Sequence, residues 1–374
     1  MTGRPRIALV AASLDILGGQ GVQARALVEA LRGDGYQVAF VPINPRFPRG
    51  LRWLRRIPYA RTLLNQLLYV PGLVRLMRAD VVHVFSASFW SFLLTPVPAM
   101  LAAKLFRARV VLHYHSGEAG EHLSRWGVLV HPWLRLADVI VVPSNYLKDV
   151  FAAHGHPARV IPNVVDLSRF AWRDRSPLRP RLISTRNLEP YYRVDVVLDA
   201  FRRLRAAVPE ATLTVAGYGS EEARLRGMAG EGVRFVGKVT PAAMPALLDD
   251  ADIFVNASVV DNQPVSLLEA FAAGLPVVST PTGDIAAMVR HEETGLLAAP
   301  LDAGAIAAAV VSLLRDPAQA TRLARQAREE IHRYTWPSVR GDWASVYDDG
   351  AAPAASPAEA SGRDIESWNS ARSR

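Results

Sequence analysis

The sequence predicts an α/β fold made of two doubly wound, Rossmann-like domains facing a central cleft. Three observations predict it. Short β-rich runs alternate with helical patterns almost throughout the chain, as in parallel sheets with right-handed crossovers. The alternation pauses once, at the charged, proline-bearing stretch Ser168–Pro180 (SRFAWRDRSPLRP), and then restarts. The 374 residues also exceed what one core usually serves.

The elements follow in order. Ile7–Ala12 reads as the first strand and Val22–Arg32 as the helix after it. Val38–Ile43, Val81–Phe85, Val110–His115 and Val139–Ser144 read as further strands of the first domain. Past the linker, Arg181–Thr185, Thr212–Ala216, Val233–Val236, Asp252–Ala257 and Pro276–Thr280 read as strands of the second, with helices between them. A long helical stretch runs from Ala320, and Pro337 must interrupt or kink it. Beyond Gly350 the composition falls to mostly Ala, Pro, Ser and Glu, so a disordered tail is expected over 350–374.

Half of the residues are hydrophobic (50%), which suits a packed globular protein. There is no cysteine, which excludes disulfides and thiolate metal sites and fits a reducing compartment. Met1–Arg6 is polar and the next apolar run is short, so no secretory signal is expected. The longest apolar stretch, Ser88–Leu105, contains Pro96, Pro98 and Lys104 and reads as a buried loop and helix, not a membrane span. The net charge is +8, and Arg46–Arg78 alone carries eight arginines and no acid. There arginine alternates with Trp53, Tyr59, Leu63, Leu64, Leu67, Leu68 and Tyr69. Basic and apolar faces together suit an anionic membrane surface. Nucleic acid is another reader of such charge, and a core helix with a solvated basic face is the plain alternative.

Doubly wound sheets bind ligands at the carboxyl ends of their strands, so chemistry is sought there. In "SVVDNQPVSLLEAFAAGLPVVST", Asp261 lies just past a strand end and Glu269 inside the helix that follows. Asn262 or Asp261 can cap that helix, and Pro264 suits its first turn. Leu267, Leu268, Phe271 and Ala272 form one face, and Ser266, Glu269 and Ala273 share the other. A helix start is a ready anion site, and carboxylates beside it can take neutral hydroxyls. Together these suggest a nucleotide sugar; the alternative is a helix cap plus an exposed glutamate.

Here the sequence resembles glycosyltransferase family 4, the retaining GT-B enzymes. Asp261, seven residues, Glu269 and then "AFAAGLPVVSTPTGD" looks like the family's signature of an acid, seven residues and a glutamate. The resemblance runs from about Ile7 to Tyr347. It implies that Glu269 binds the ribose hydroxyls and that Asp261, where the family usually has Glu, contacts the transferred sugar. Pro264 falls where the family often has a glycine N–H, which leaves the amides of Val265 and Ser266 to serve the phosphate. "LISTRNLEPYYRVDVVLDAF" resembles the segment that supplies an Arg and a Lys. Arg186 matches the Arg. Tyr192 stands at the Lys position, and Arg193, which follows it, is the candidate substitute or else a solvated surface arginine. Ala287 sits where relatives often keep a Glu.

Gly217 and Gly219 in "VAGYGSEE" let the backbone come close to a ligand before a helix starts. "VGKVT" resembles the family's base-contacting turn, which assigns the backbone of Val239 to the nucleobase. In "LGGQGVQARALVEAL", Gly19, Gly21 and Ala24 satisfy G-x-G-x-x-A, but the strand ends near Ala12 and the next strand ends in "VPIN" without the acid a dinucleotide needs. The stretch matches the family's double-glycine loop better, which places Gly19 near the donor phosphates. "VVLHYHSGEAGEH" puts His113 and His115 on one sheet face with no third metal ligand of clear spacing. The family uses a His at this strand end beside the reacting sugar, and His115 matches it; a buried His bonded to backbone is the alternative.

The resemblance implies retaining glycosyl transfer from a nucleotide diphosphate sugar, with UDP or GDP expected, to a hydroxyl or lipid-linked glycan acceptor. No cofactor and no metal are implied, and Asp250–Asp252 opens a strand, a poor place for a metal at the cleft. The expected domains are an acceptor domain over 1–170, a nucleotide-sugar domain over 171–334, and a helix over 335–349 that crosses back to the first. Cytoplasmic location, peripheral at the inner face of the plasma membrane through Arg46–Arg78, is expected, and nucleic acid is not. A sugar-nucleotide epimerase on the same fold and a non-catalytic scaffold remain as alternatives.

Overall fold

The computed structural model describes residues 4–13 and 18–348. The expected tail at 350–374 lies outside the described residues. Two six-stranded parallel sheets form the molecule. The first comprises β1 Ile7–Ala11, β2 Val38–Pro42, β3 Val81–Ser86, β4 Arg109–Tyr114, β5 Val139–Val142 and β6 Arg159–Val160. Its order is β2-β1-β3-β4-β5-β6. The second comprises β7 Arg181–Ser184, β8 Thr212–Ala216, β9 Val233–Gly237, β10 Ile253–Val255, β11 Val277–Ser279 and β12 Leu296–Leu297. Its order is β12-β11-β10-β7-β8-β9. The order reverses between β1 and β3 in one sheet and between β7 and β10 in the other. A crevice opens at the carboxyl ends of the strands at such a reversal.

Each sheet is covered on both faces. Ala8, Val10, Val82 and Leu112 pack on one side of the first, and Ile7, Leu9, Val81 and Val111 on the other. Leu182, Leu213 and Val255 do the same against Ile183, Phe254 and Val277 in the second. Two buried faces explain why these strands read as continuous β-branched runs. The first helix, Gly19–Gly33, starts three residues earlier than its apolar pattern and buries Ala24, Leu27, Val28 and Leu31 on one stripe. Ser88–Leu105 folds as two helices, Phe89–Leu94 and Pro96–Leu105, broken at Thr95. No helix among the described residues is long and apolar enough to cross a membrane.

The linker is anchored. Asp252 is fully buried and takes bonds from Arg179 Nε (2.7 Å) and Arg173 Nη2 (3.2 Å). Arg175, also buried, donates to the carbonyls of Ala251, Ala273 and Gly274. The charge of the linker is thus spent on holding it to the second sheet. The C-terminal stretch breaks at Thr335 into Pro317–Glu330, a short turn and Trp336–Tyr347, with Pro337 in the first turn of the last helix. Val339, Trp343, Val346 and Tyr347 then pack beside Ile7 and Leu9 of the first sheet.

Candidate active site

A cleft of about 500 Å³ lies where the carboxyl ends of the two sheets meet. It is built on the loop after β10. Ser258 O accepts the hydroxyls of Thr280 (2.6 Å) and Thr282 (2.7 Å), and Val259 N donates to Tyr191 O (2.9 Å). This pins the loop and sets the angle of the helix Val265–Ala272. Neither Asp261 nor Asn262 caps that helix, contrary to the sequence reading: Pro264 is the cap residue, and it makes no side-chain cap hydrogen bond. Asp261 accepts from the N–H of Asn262 (3.0 Å), and the Asn262 side chain accepts from Ser144 of the first lobe. The N–H groups of Val265 and Ser266 are left without a partner among the described residues, and both residues line the cleft. A helix start with free amides is an anion site.

Arg186 leaves the end of β7 and reaches this helix. Its guanidinium donates to Asp261 Oδ2 (2.5 Å) and Ser266 Oγ (2.8 Å), is 8% exposed, and lies 4.1 Å from the centroid of the Tyr192 ring. Tyr192, at the expected lysine position, thus forms a floor under the arginine. Burial raises its hydroxyl pKa, so it stays protonated.

Glu269 lies one helical turn past Val265, is 7% exposed, and lines the cleft. Burial pushes its carboxyl up to about 7, against the pull of nearby Arg169. No side chain or amide among the described residues bonds it. It is a buried acid facing the cavity, not the exposed helix residue of the plain reading.

On the opposite wall, His115 follows β4. Its ring stacks on Phe85 (5.0 Å) and lies 4.0 Å from His113, on the shared face expected from the spacing. Burial lowers its pKa to about 3, so the ring is neutral, and its Nε2 has no partner among the described residues. Behind it, His113 Nδ1 meets His83 Nε2 (3.2 Å), and His83 Nδ1 meets the Tyr347 hydroxyl (2.8 Å). The returning C-terminal helix therefore braces the histidine wall.

Gly19 lines the cleft, 3.7 Å from Val265 of the other lobe if a Cβ is placed on it. Gly217 lines it as well, but a Cβ there would lie 2.0 Å from Arg186 O, and one on Gly219 would lie 2.3 Å from Leu188 O. These two serve the packing of their loop on the chain after β7. Gly219 is not among the lining residues, which corrects the idea that both bring backbone to a ligand.

Arg193 is a second correction. It sits in the left-handed region (φ 47°) and directs its guanidinium to Asp195 at 2.9 and 3.0 Å. It does not line the cleft, and Lys238 does. Lys238 Nζ lies 5.1 Å from the Tyr218 ring, and Val239 beside it lines the cleft as expected. The signal was present in "VGKVT", a cation just past a strand end. Glu118 was missed too, an acid past the end of β4 in "HSGEAG". Asp250 and Asp252 are held by arginines away from the cleft, Asp250 by Arg181 (3.0 Å).

Two doubly wound parallel sheets facing each other across a cleft with a phosphate-ready helix start make up a GT-B fold. The comparisons agree. A family model described as Glycosyltransferase Family 4 matches residues 17–169, and one described as Glycosyl transferases group 1 matches residues 179–316. Glycogen synthase of Mycobacterium tuberculosis is 34% identical over 296 residues, 74% of this chain and 70% of that protein. Phosphatidyl-myo-inositol mannosyltransferase of Mycobacterium leprae is 28% identical over 360 residues, 90% of this chain and 94% of that one. The crystal structure of Anabaena HepE in complex with UDP-glucose superposes with a TM-score of 0.74 at 17% identity, over 91% of this chain and 99% of that one. The chain belongs to glycosyltransferase family 4 and is a glycosyltransferase that uses a nucleotide sugar.

Proposed function

We propose that the enzyme transfers a hexosyl group, with retention, from a UDP- or GDP-sugar to a hydroxyl of a glycan or lipid-linked acceptor. The observation that carries this reading is the joint presence of Arg186, the free amides of Val265 and Ser266, and buried Glu269 along one wall. The diphosphate lies on the amides and Arg186, with Lys238 as the second cation in place of Arg193. Glu269 takes the ribose hydroxyls, and Asp261, oriented by Arg186, takes a hydroxyl of the sugar. His115, neutral and fixed, faces the reacting carbon. The acceptor attacks from the face the diphosphate leaves, and the departing phosphate oxygen takes its proton. The lobe over 1–170, closed by the helix 335–349, holds the acceptor; the lobe over 171–334 holds the donor. Arg186→Ala should lower turnover about a hundredfold or more, because a cation that stabilises developing charge is lost. Near-normal turnover removes Arg186 from the mechanism.

A peripheral membrane site is part of this reading. Along Pro58–Gly72 and the turn after it, Tyr59, Leu63, Leu67, Val70, Val74 and Met77 recur every three or four residues and face outward. Tyr59 is 89% exposed, and Tyr69 is fully buried. Arg49, Arg56, Arg61, Arg75 and Arg78 are exposed around them. An outward apolar stripe ringed by arginine is unlike a core helix with a solvated basic face, and favours an anionic bilayer at the inner face of the plasma membrane. Sedimentation with anionic liposomes should succeed at low salt and fade as salt rises; equal binding to neutral vesicles defeats the electrostatic anchor.

A further inference from the structure

We propose that Glu118, with Ser88 and Ser116, forms a subsite for the hydroxyls of an uncharged polyol, so that the end of the acceptor entering the cleft carries no phosphate. The proposal rests on the glycosyl-transfer reading above and adds the chemistry of the acceptor to it.

The two walls of the cleft differ in charge. Its lining cations, Arg186 and Lys238, both belong to the second lobe, where the diphosphate is held. The first-lobe wall has no lysine or arginine among the described residues, and its one charged side chain is Glu118. Burial keeps His115 on the same wall neutral. A phosphate entering there would meet a carboxylate and no cation. A sugar or cyclitol hydroxyl would meet an acceptor of the strong, charge-assisted kind.

Glu118 is placed for this. It is half-buried, and Ser88 Oγ donates to its Oε2 at 3.2 Å. The Ser88 and Ser116 hydroxyls meet at 3.0 Å, so three neighbouring groups can take and give hydrogen bonds. Oε1 has no protein partner among the described residues. The loop is held in place by close contact: a Cβ on Gly117 would lie 2.9 Å from Asp261 C and O. Glu118 is thus fixed beside the loop that carries Asp261, where an acceptor must stand to reach the transferred sugar.

The test uses the full chain saturated with UDP and saturation-transfer NMR. The probes are methyl α-glucopyranoside, methyl α-mannopyranoside and myo-inositol, each paired with its monophosphate. The neutral member of at least one pair should bind, its phosphate should bind at least tenfold more weakly, and Glu118→Gln should weaken the neutral probe about tenfold. UDP affinity by calorimetry should be the same in the variant and the parent, because Glu118 is on the other wall. A phosphate that binds as well as its neutral partner overturns the proposal. So does an unchanged signal in Glu118→Gln, or UDP bound with no neutral probe bound. Failure of UDP itself to bind counts against the nucleotide-sugar reading, and against this one with it.

Discussion

At Arg186 and Asp261 two charges share a nearly dry site, each side chain 8% exposed. Removing one partner strands the other, which costs about 3–5 kcal/mol for a buried pair. Asp261→Ala should therefore lower the melting temperature as well as activity, while Asp261→Asn, which can still accept a bond, should lower activity with a smaller thermal penalty. Equal melting of all three proteins would mean the pair is not buried in solution. Glu269 gives a pH signature. Its free carboxyl titrates near 7, far above an ordinary carboxyl, because burial disfavours its charge. Ribose hydroxyls donating to it favour the ionised form and lower that value. Nucleotide binding should then release a proton near pH 7 and tighten as pH rises through 7. Calorimetry in two buffers of different ionisation enthalpy reads the proton directly, and Glu269→Gln should abolish it. The same linkage has the opposite sign for folding: a raised acid pKa means stability is lost as pH rises from the unfolded value through about 7. That Asp261 and Glu269 share one site was legible in the family resemblance, which pairs an acid past a strand end with a glutamate in the next helix, and both line the cleft. Arg193 was not, because its left-handed turn, invisible in the sequence, decides where the side chain points.

Among the elements, strand–helix alternation revealed both sheets because each strand is apolar on two faces. It did not reveal β6 and β12, which are two residues long and too short to show a pattern. The linker was recognised by its charged, proline-bearing composition alone. Its arginines instead answer a buried aspartate 70 or so residues away in the chain, a pairing no local pattern discloses. The Gly-Tyr-Gly turn is the clearest case of a right signal with another cause. Gly217→Ala should destabilise by about 1–3 kcal/mol, since its new methyl overlaps the carbonyl of Arg186 and backbone must shift. It should also weaken nucleotide binding by displacing that residue. A Gly217→Ala protein with parental stability would show that the turn has room.

Across the whole molecule, the lobes meet around the site through a few polar contacts. Asn163 N donates to Gln263 Oε1 (2.6 Å), Asn163 Nδ2 donates to Gln263 O (2.9 Å), and Ser144 bonds Asn262. These residues flank Asp261 and Pro264, so the contacts that join the lobes also hold the loop that carries the site. Closure excludes water and brings reacting groups together. Asn163→Ala should open the lobes, seen as a larger radius of gyration by X-ray scattering, and lower turnover more than donor affinity. An unchanged radius and rate would show that the latch is idle. The most direct test of the whole account is a crystal structure with the nucleoside diphosphate, UDP or GDP, that stabilises the protein more. The account predicts both phosphates within hydrogen-bond reach of Arg186 and the amides of Val265 and Ser266, and the ribose hydroxyls on Glu269. A nucleotide bound outside the cleft, or a Glu269 carboxylate turned away from the ribose, would contradict it.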